Sequence, residues 1–285
     1  MALRLHTVAA RQGLAWLRAA FATYAKRPLG LTMLFVVFLF SAILVLALPY
    51  VGQIVVMGSL PLLSLGYMIA TRAVLGGGTA QPGHLVEGLR GDTRRRAALL
   101  QLSAVYALAT VVILLLADAV DGGRFERVQL LLATPERTPS ENAELDALLA
   151  DDRLTWGLVV RFGLAALLAI PFWHAPALVH WGGQGVLQSL FSSTLAVWRN
   201  RGAMTVYVVA WVGMIALFSV AVGALFGLLG TRQLAGLVAL PAGLMFTCVF
   251  YVSLYFTFVD VFGGDGADGR DALHRPPPPG TLSDS

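Results

Sequence analysis

Two histidines, two tryptophans and two prolines crowd into PFWHAPALVHWGGQG, residues 171–185. Imidazoles at that density are what a metal centre or a general acid–base pair would use. His174 and His180 are six residues apart, which on one ideal helix sets them about 240° apart, and the prolines blur even that relation. A zinc site needs three or four ligands in fixed geometry. The other histidines, His6, His84 and His274, are scattered through terminal or loop segments, and no HExxH occurs. Trp173, His174, His180 and Trp181 therefore read as interfacial anchors, residues with an apolar body and polar tip where an apolar span meets water.

Other chemical signatures fail as well. The sequence holds no GxSxG, no Walker A and no GxGxxG beside a strand, and GGGTAQPG reads as a helix stop and turn. The spans carry neither paired aspartates nor the serine–histidine pair that intramembrane proteolysis would require. Cys248 is the single cysteine, set in an apolar run, so neither a disulfide nor a thiolate cluster can form within the chain. No catalytic, cofactor-binding or metal-binding residue is expected, and no cofactor.

Two features inside the apolar runs carry structural expectations. Ser219, Gly223 and Gly227 recur every four residues, a small-residue face that lets another helix approach closely, within the chain or in a homodimer. Asp260 closes the last apolar run, where the helix dipole disfavours an anion by roughly 0.3–1 kcal/mol. That placement asks for a cationic neighbour in a structural ion pair, for which Arg72, at the matching end of the second span, or Arg199 and Arg201 could serve.

The elements that position these residues follow from composition. The chain has 285 residues, 57% hydrophobic and only 13% charged, with a mean hydropathy of +0.74. Soluble domains carry about 25% charged residues, so this chain lacks the polar surface a soluble fold would need. Uncharged runs at 28–71, 97–117, 162–198, 202–231 and 233–259 each reach the roughly 20 residues of a membrane-spanning helix. The first is long enough for two and breaks at PYVGQ, residues 49–53. The expected fold is an all-α polytopic membrane bundle of six transmembrane helices, near 29–48, 54–74, 97–117, 156–181, 203–228 and 236–259.

Charge orients it. Fourteen basic residues fall on one side of a six-span chain and six on the other. The positive-inside rule then puts both termini in the cytoplasm and the 118–155 loop outside. That loop is acidic, with nine Asp or Glu against four Arg. Because the basic residues flank helix ends, the net charge of +4 does not point to nucleic acid.

The arm at 1–27 contains an amphipathic stretch with Ala10, Leu14, Leu17, Phe21 and Tyr24 on one stripe, an interfacial lead-in to the first span. A second interfacial helix, 184–199, has Leu187, Phe191, Leu195 and Trp198 as its seam. FATYAKRP and LAVWRNRG correspond at a constant offset, and each leads into a hairpin whose second helix begins with Leu-Pro. The pattern fits two parallel repeats. In the outer loop TPSE is a capping box opening a short helix, and RFERVQLLLA reads as a helix before it. The Gly-, Asp- and Pro-rich tail, 263–285, should be disordered, and Asp265, Asp268 and Asp271 lack the spacing of a calcium loop.

At FWHAPALVHWGGQGVLQSLFSSTLAVWRNRGAM the chain resembles a group of uncharacterised proteobacterial multi-pass inner-membrane proteins. VAARQGLAWLRAAFATYAKRPLGL and LPLLSLGYMIATRAV are similar to the same group, so the resemblance covers roughly residues 7–262. It implies location in the bacterial inner membrane and brings no established activity. The functional expectation is a non-enzymatic scaffold or accessory of envelope machinery, in contact with lipid and with other membrane proteins or a second copy. The alternative is a transporter or channel component for a small or amphipathic solute, disfavoured by the lack of ionisable residues in the middle thirds of the spans.

Overall fold

The computed structural model describes residues 3–49, 51–90, 92–134, 136–231 and 234–263. The described residues form α-helices: α1 (Gln12–Lys26), α2 (Pro28–Leu46), α3 (Val51–Leu75), the single turn α4 (His84–Glu87), α5 (Thr93–Asp121), α6 (Arg124–Ala133), α7 (Pro139–Leu149), α8 (Asp152–Phe172), α9 (Ala175–His180), α10 (Val186–Arg199), α11 (Arg201–Leu228) and α12 (Ala235–Phe262). No strand occurs among the described residues. Six helices are long and apolar enough to cross a bilayer: α2, α3, α5, α8 continued by α9, α11 and α12. They coincide with the six expected spans, their ends displaced by about a turn at most. The protein is an all-α polytopic membrane protein, and its apolar helices contact lipid. The tail from 264 onward, with its three aspartates and His274, lies outside the described residues.

Local signals set the helix ends. Pro28 opens α2 at a position where its missing N–H is no loss. Gly122 and Gly123, both at positive φ, end α5 and turn the chain into α6. Thr138 caps α7 through the anticipated box: its hydroxyl accepts from the Glu141 amide, and the Glu141 carboxylate accepts from the Thr138 amide. Pro61, Pro171 and Pro241 lie inside α3, α8 and α12.

The most extensive pairing is α5 with α8, followed by α3 with α5. A core of Tyr67, Tyr207, Tyr255 and Phe258 joins α3, α11 and α12, and also takes in Trp16 of α1. The Tyr67 and Tyr251 rings stack at 5.1 Å. At one end of the bundle, the hairpin side, α6 and α7 close over Leu154 through Val128, Leu131 and Leu145. At the other, the arm side, α1 packs on α11 and α12 while α10 packs on α8 and α9.

The element order α1–α2–α3 recurs as α10–α11–α12, yet the two leading helices dock differently. The α1 stripe expected at Leu14 and Phe21 is rotated: the buried face is Gly13, Trp16, Leu17, Ala20 and Thr23, and Leu14 is exposed. In α10 the expected seam faces outward, with Leu187, Phe191 and Trp198 exposed, and the small polar face of Ser189, Ser193 and Ala196 meets the protein. The apolar seam of α10 is left exposed, whereas α1 is seated in the bundle.

Candidate functional site

The polar groups on the arm side make a clasp. Asp260, near the end of α12, accepts hydrogen bonds from the Gln12 side chain and from the Trp16 indole at 2.8 Å. These two donors from α1 help to offset an anion placed at the unfavourable end of a helix dipole. Asn200, at the junction of α10 and α11, accepts from the Val8 amide at 2.8 Å and donates to the His6 and Ala196 carbonyls at 3.0 Å. The His6 amide donates to the Val261 carbonyl at 2.8 Å. Gly13 lets α1 sink against α11, since a Cβ there would lie 2.2 Å from the Ala203 carbonyl oxygen. Arg72 closes α3 with its charge near Tyr255 and His180.

The histidine segment is buried. His174 is 1% exposed, which corrects its reading as an interfacial anchor. It sits where α8 breaks after Pro171, and the break frees backbone groups that lipid cannot satisfy. Ser193 of α10 satisfies them, accepting from the His174 amide at 3.0 Å and donating to the Ile170 carbonyl at 3.1 Å. The imidazole meets the Thr257 hydroxyl at 3.3 Å, and the Trp173 indole donates to the same oxygen at 3.2 Å. His174 also packs on Phe258 and Phe262, while His180 and Trp181 are half-buried, with Trp181 against Phe258. Tertiary burial at a kink has replaced lipid contact. Among the described residues no three His, Cys, Asp or Glu gather as a metal site.

The hairpin side carries ion pairs that the sequence reading did not assign. Arg161 of α8 bonds Asp118 at 2.7 Å and the fully buried Asp121 at 3.2 Å, and its guanidinium lies 4.0 Å over the Phe125 ring. Gly157 makes room for the Asp121 side chain. The only hint was Arg161 interrupting an otherwise apolar run. Farther out, Arg124 bonds Asp151 at 2.6 Å and Arg127 grips Glu144 through two hydrogen bonds. Hydrogen bonding from Arg127 lowers the Glu144 pKa, the Thr138 amide lowers that of Glu141, and Arg124 lowers that of Asp151.

Three crevices among the described residues are mainly apolar. Their volumes are about 450, 530 and 190 Å³, and all share Trp173 as a wall. Trp173 is held edge-on to Tyr207 and Phe250, each at 5.9 Å. No carboxylate, histidine or lysine lines any of the three, and Arg201 is the one charged residue among their linings. Such walls suit a hydrocarbon chain. Ser219 and Gly223 of the small-residue face are exposed on the C-terminal half of α11, and a Cβ added at Gly223 would meet nothing within 4 Å.

Comparison with known proteins gives one consistent answer. No family model matches the chain, and no solved structure matches it. A curated probable inner membrane protein of Burkholderia thailandensis is 29% identical over 265 residues, covering 92% of this chain and 94% of the relative. The chain is thus a six-helix membrane protein similar, almost end to end, to a probable inner membrane protein of Burkholderia thailandensis.

Proposed function

We propose that the protein is a non-enzymatic component of the bacterial inner membrane that acts by lateral association, as a scaffold or accessory of envelope machinery. Its termini face the cytoplasm and the α6–α7 hairpin faces out. The observation that carries this reading is the outer half of α11, where Ile215, Leu217, Val220 and Leu225 are all exposed. A helix of 28 residues with its outer half bare presents a long surface to a transmembrane helix of another protein. The Ser219–Gly223 face lies on that same half. The basic surplus on the arm side supports the orientation, and the relative's name supports the membrane. Arg72 and Asp260 add a charge pair at the inner surface.

Photo-crosslinking amino acids at Leu217 and Val220, with Ile43 of α2 as an equally exposed control, test the reading in intact cells. Discrete protein adducts from 217 and 220, absent from 43, are the expected result, and lipid adducts alone at all three would end it. Tags fused at Met1 and Ser285 should resist protease added outside intact cells. A second reading, handling of an amphipathic solute, is favoured by the apolar crevices around Trp173.

A further inference from the structure

We propose that the 530 Å³ crevice between α8, α10 and α11 is a binding site for one anionic phospholipid, with its phosphate at Arg201 and an acyl chain running down to Val209. The volume lies within the roughly 300–1,000 Å³ range of ligand sites. The two long walls are Ala166, Ala169 and Ile170 of α8 and Met204, Val208 and Val209 of α11. From Arg201 to Val209 the helix rises about 12 Å, close to the depth of one leaflet, which is about half of a 30 Å hydrocarbon core. The site therefore matches a chain that enters from the arm side and stops near mid-bilayer.

The one charged lining residue, Arg201, sits at the mouth. Arg201 stacks on the Trp198 ring at 5.6 Å, and both line the crevice. No carboxylate pairs with Arg201 among the described residues, so its charge is available. Thr205 lines the crevice on the same helix face, one turn deeper. Thr71, Thr110, Thr247 and Thr257 each bond a carbonyl of their own helix. The Thr205 hydroxyl makes no such bond and is positioned for a phosphate or ester oxygen. The positive end of the α11 dipole starts at Arg201 and adds to the same field. A guanidinium, an unbonded hydroxyl and a planar ring above an apolar slot together select a phosphate carrying a hydrocarbon tail. This inference does not depend on the proposed scaffold role or on which side of the membrane the arm lies.

Native mass spectrometry of the full chain tests it by titration with dioleoyl-phosphatidylglycerol against dioleoyl-phosphatidylcholine. The wild type should hold one phosphatidylglycerol in preference. Arg201→Gln should weaken that binding about tenfold, the loss of one charge-assisted hydrogen bond, and weaken phosphatidylcholine less, because its phosphate is already neutralised by its own choline. Val209→Trp, at an exposed position, should fill the slot and weaken both lipids without touching Arg201 or its stacking on Trp198. Thr205→Val gives a smaller, phosphatidylglycerol-selective loss. Wild-type affinity for phosphatidylglycerol in both Arg201→Gln and Val209→Trp would overturn the site. Displacement of the lipid by millimolar inorganic phosphate would overturn the acyl-chain component.

Discussion

The helices α1 and α10 carry similar sequence patterns into similar hairpins and end in opposite environments. The first drives Trp16, Leu17 and Ala20 into the bundle, is latched to Asp260, and lets its backbone touch α11 at Gly13. The second turns Leu187, Phe191 and Trp198 outward and applies Ser189, Ser193 and Ala196 to the protein. An apolar stripe beside a bilayer has two apolar partners available, protein and lipid tails, with little free-energy difference between them. What decides the docking is the opposite face. Where it offers glycine and hydrogen-bonding partners, a helix can seat against protein; where small hydroxyls must cover a helix break, the large side chains are left to lipid.

The sharpest way to break this contrast is at Gly13. A Cβ there would lie 2.2 Å from the Ala203 carbonyl oxygen and 2.7 Å from the Tyr207 amide nitrogen, backbone atoms that cannot swing aside. Gly13→Val should unseat α1 at a cost of about 3 kcal/mol, the upper end for overpacking, read as a lowered melting temperature in detergent. Gly202→Ala, whose Cβ would meet the Ala10 side chain at an ordinary 3.6 Å, should melt like the wild type. Equal effects from the two would show that α1 is not seated as described.

Trp16→Phe keeps the aromatic contact with Tyr207 and removes the donor to Asp260. The expected cost is about 1.5–3 kcal/mol, the range for hydrogen bonds to a charged group. Faster hydrogen exchange in residues 12–20 should accompany it, with the exchange of α10 unchanged. Loss of protection in both helices would mean that they form one cooperative unit and that the contrast is only geometric.

The spans, the α6–α7 hairpin and its capping box were legible in the sequence because each rests on local pattern: apolar length, turn glycines, and a Thr–Glu pair three residues apart. The clasp was not, because Trp16 and Asp260 are 244 residues apart and nothing in either neighbourhood names the other. Asp260 stands out from its position against the helix dipole; that it also accepts from Gln12 and Trp16 of α1 lay beyond that argument. His174 misled for a related reason. A histidine among tryptophans and prolines looks the same at a membrane surface and at a buried kink, and only the Ser193 hydroxyl arriving from another helix distinguishes them. The face of α1 was misjudged by about one position per turn, since Gly13 and Ala20 score weakly as core residues although close backbone approach makes them so.

Acid separates a third kind of docking, made of exposed charges, from the two in the apolar zone. Glu141, Glu144 and Asp151 have lowered pKa values in the fold. Their stabilising effect is therefore present above the ordinary carboxylate range and is lost as pH falls through their lowered values. The α6–α7 hairpin should gain hydrogen exchange on acidification once the intrinsic pH dependence of exchange is corrected, while the Gly13–Ala203 contact of α1, which involves no titrating group, holds. The effect is modest because these groups are open to solvent and screened, and high salt at neutral pH should reproduce part of it.

The smallest expected change lies on the outward face of α10. Phe191 is 70% exposed, so its ring contributes little to the fold and is open to the bilayer. Phe191→Ser should leave the melting temperature in detergent within the spread of ordinary surface substitutions, about 0.5 kcal/mol. In lipid nanodiscs the same variant should show faster exchange in residues 186–195, because the helix has lost apolar area that the membrane, and not the protein, had covered. The paired measurement matters more than either value. If the substitution destabilised the protein in detergent as much as Trp16→Phe does, Phe191 would be a core residue, and α1 and α10 would be two copies of one docking mode. If it changed nothing even in nanodiscs, α10 would be held by Ser189, Ser193 and Ala196 alone, and its apolar seam would be free to receive something other than lipid.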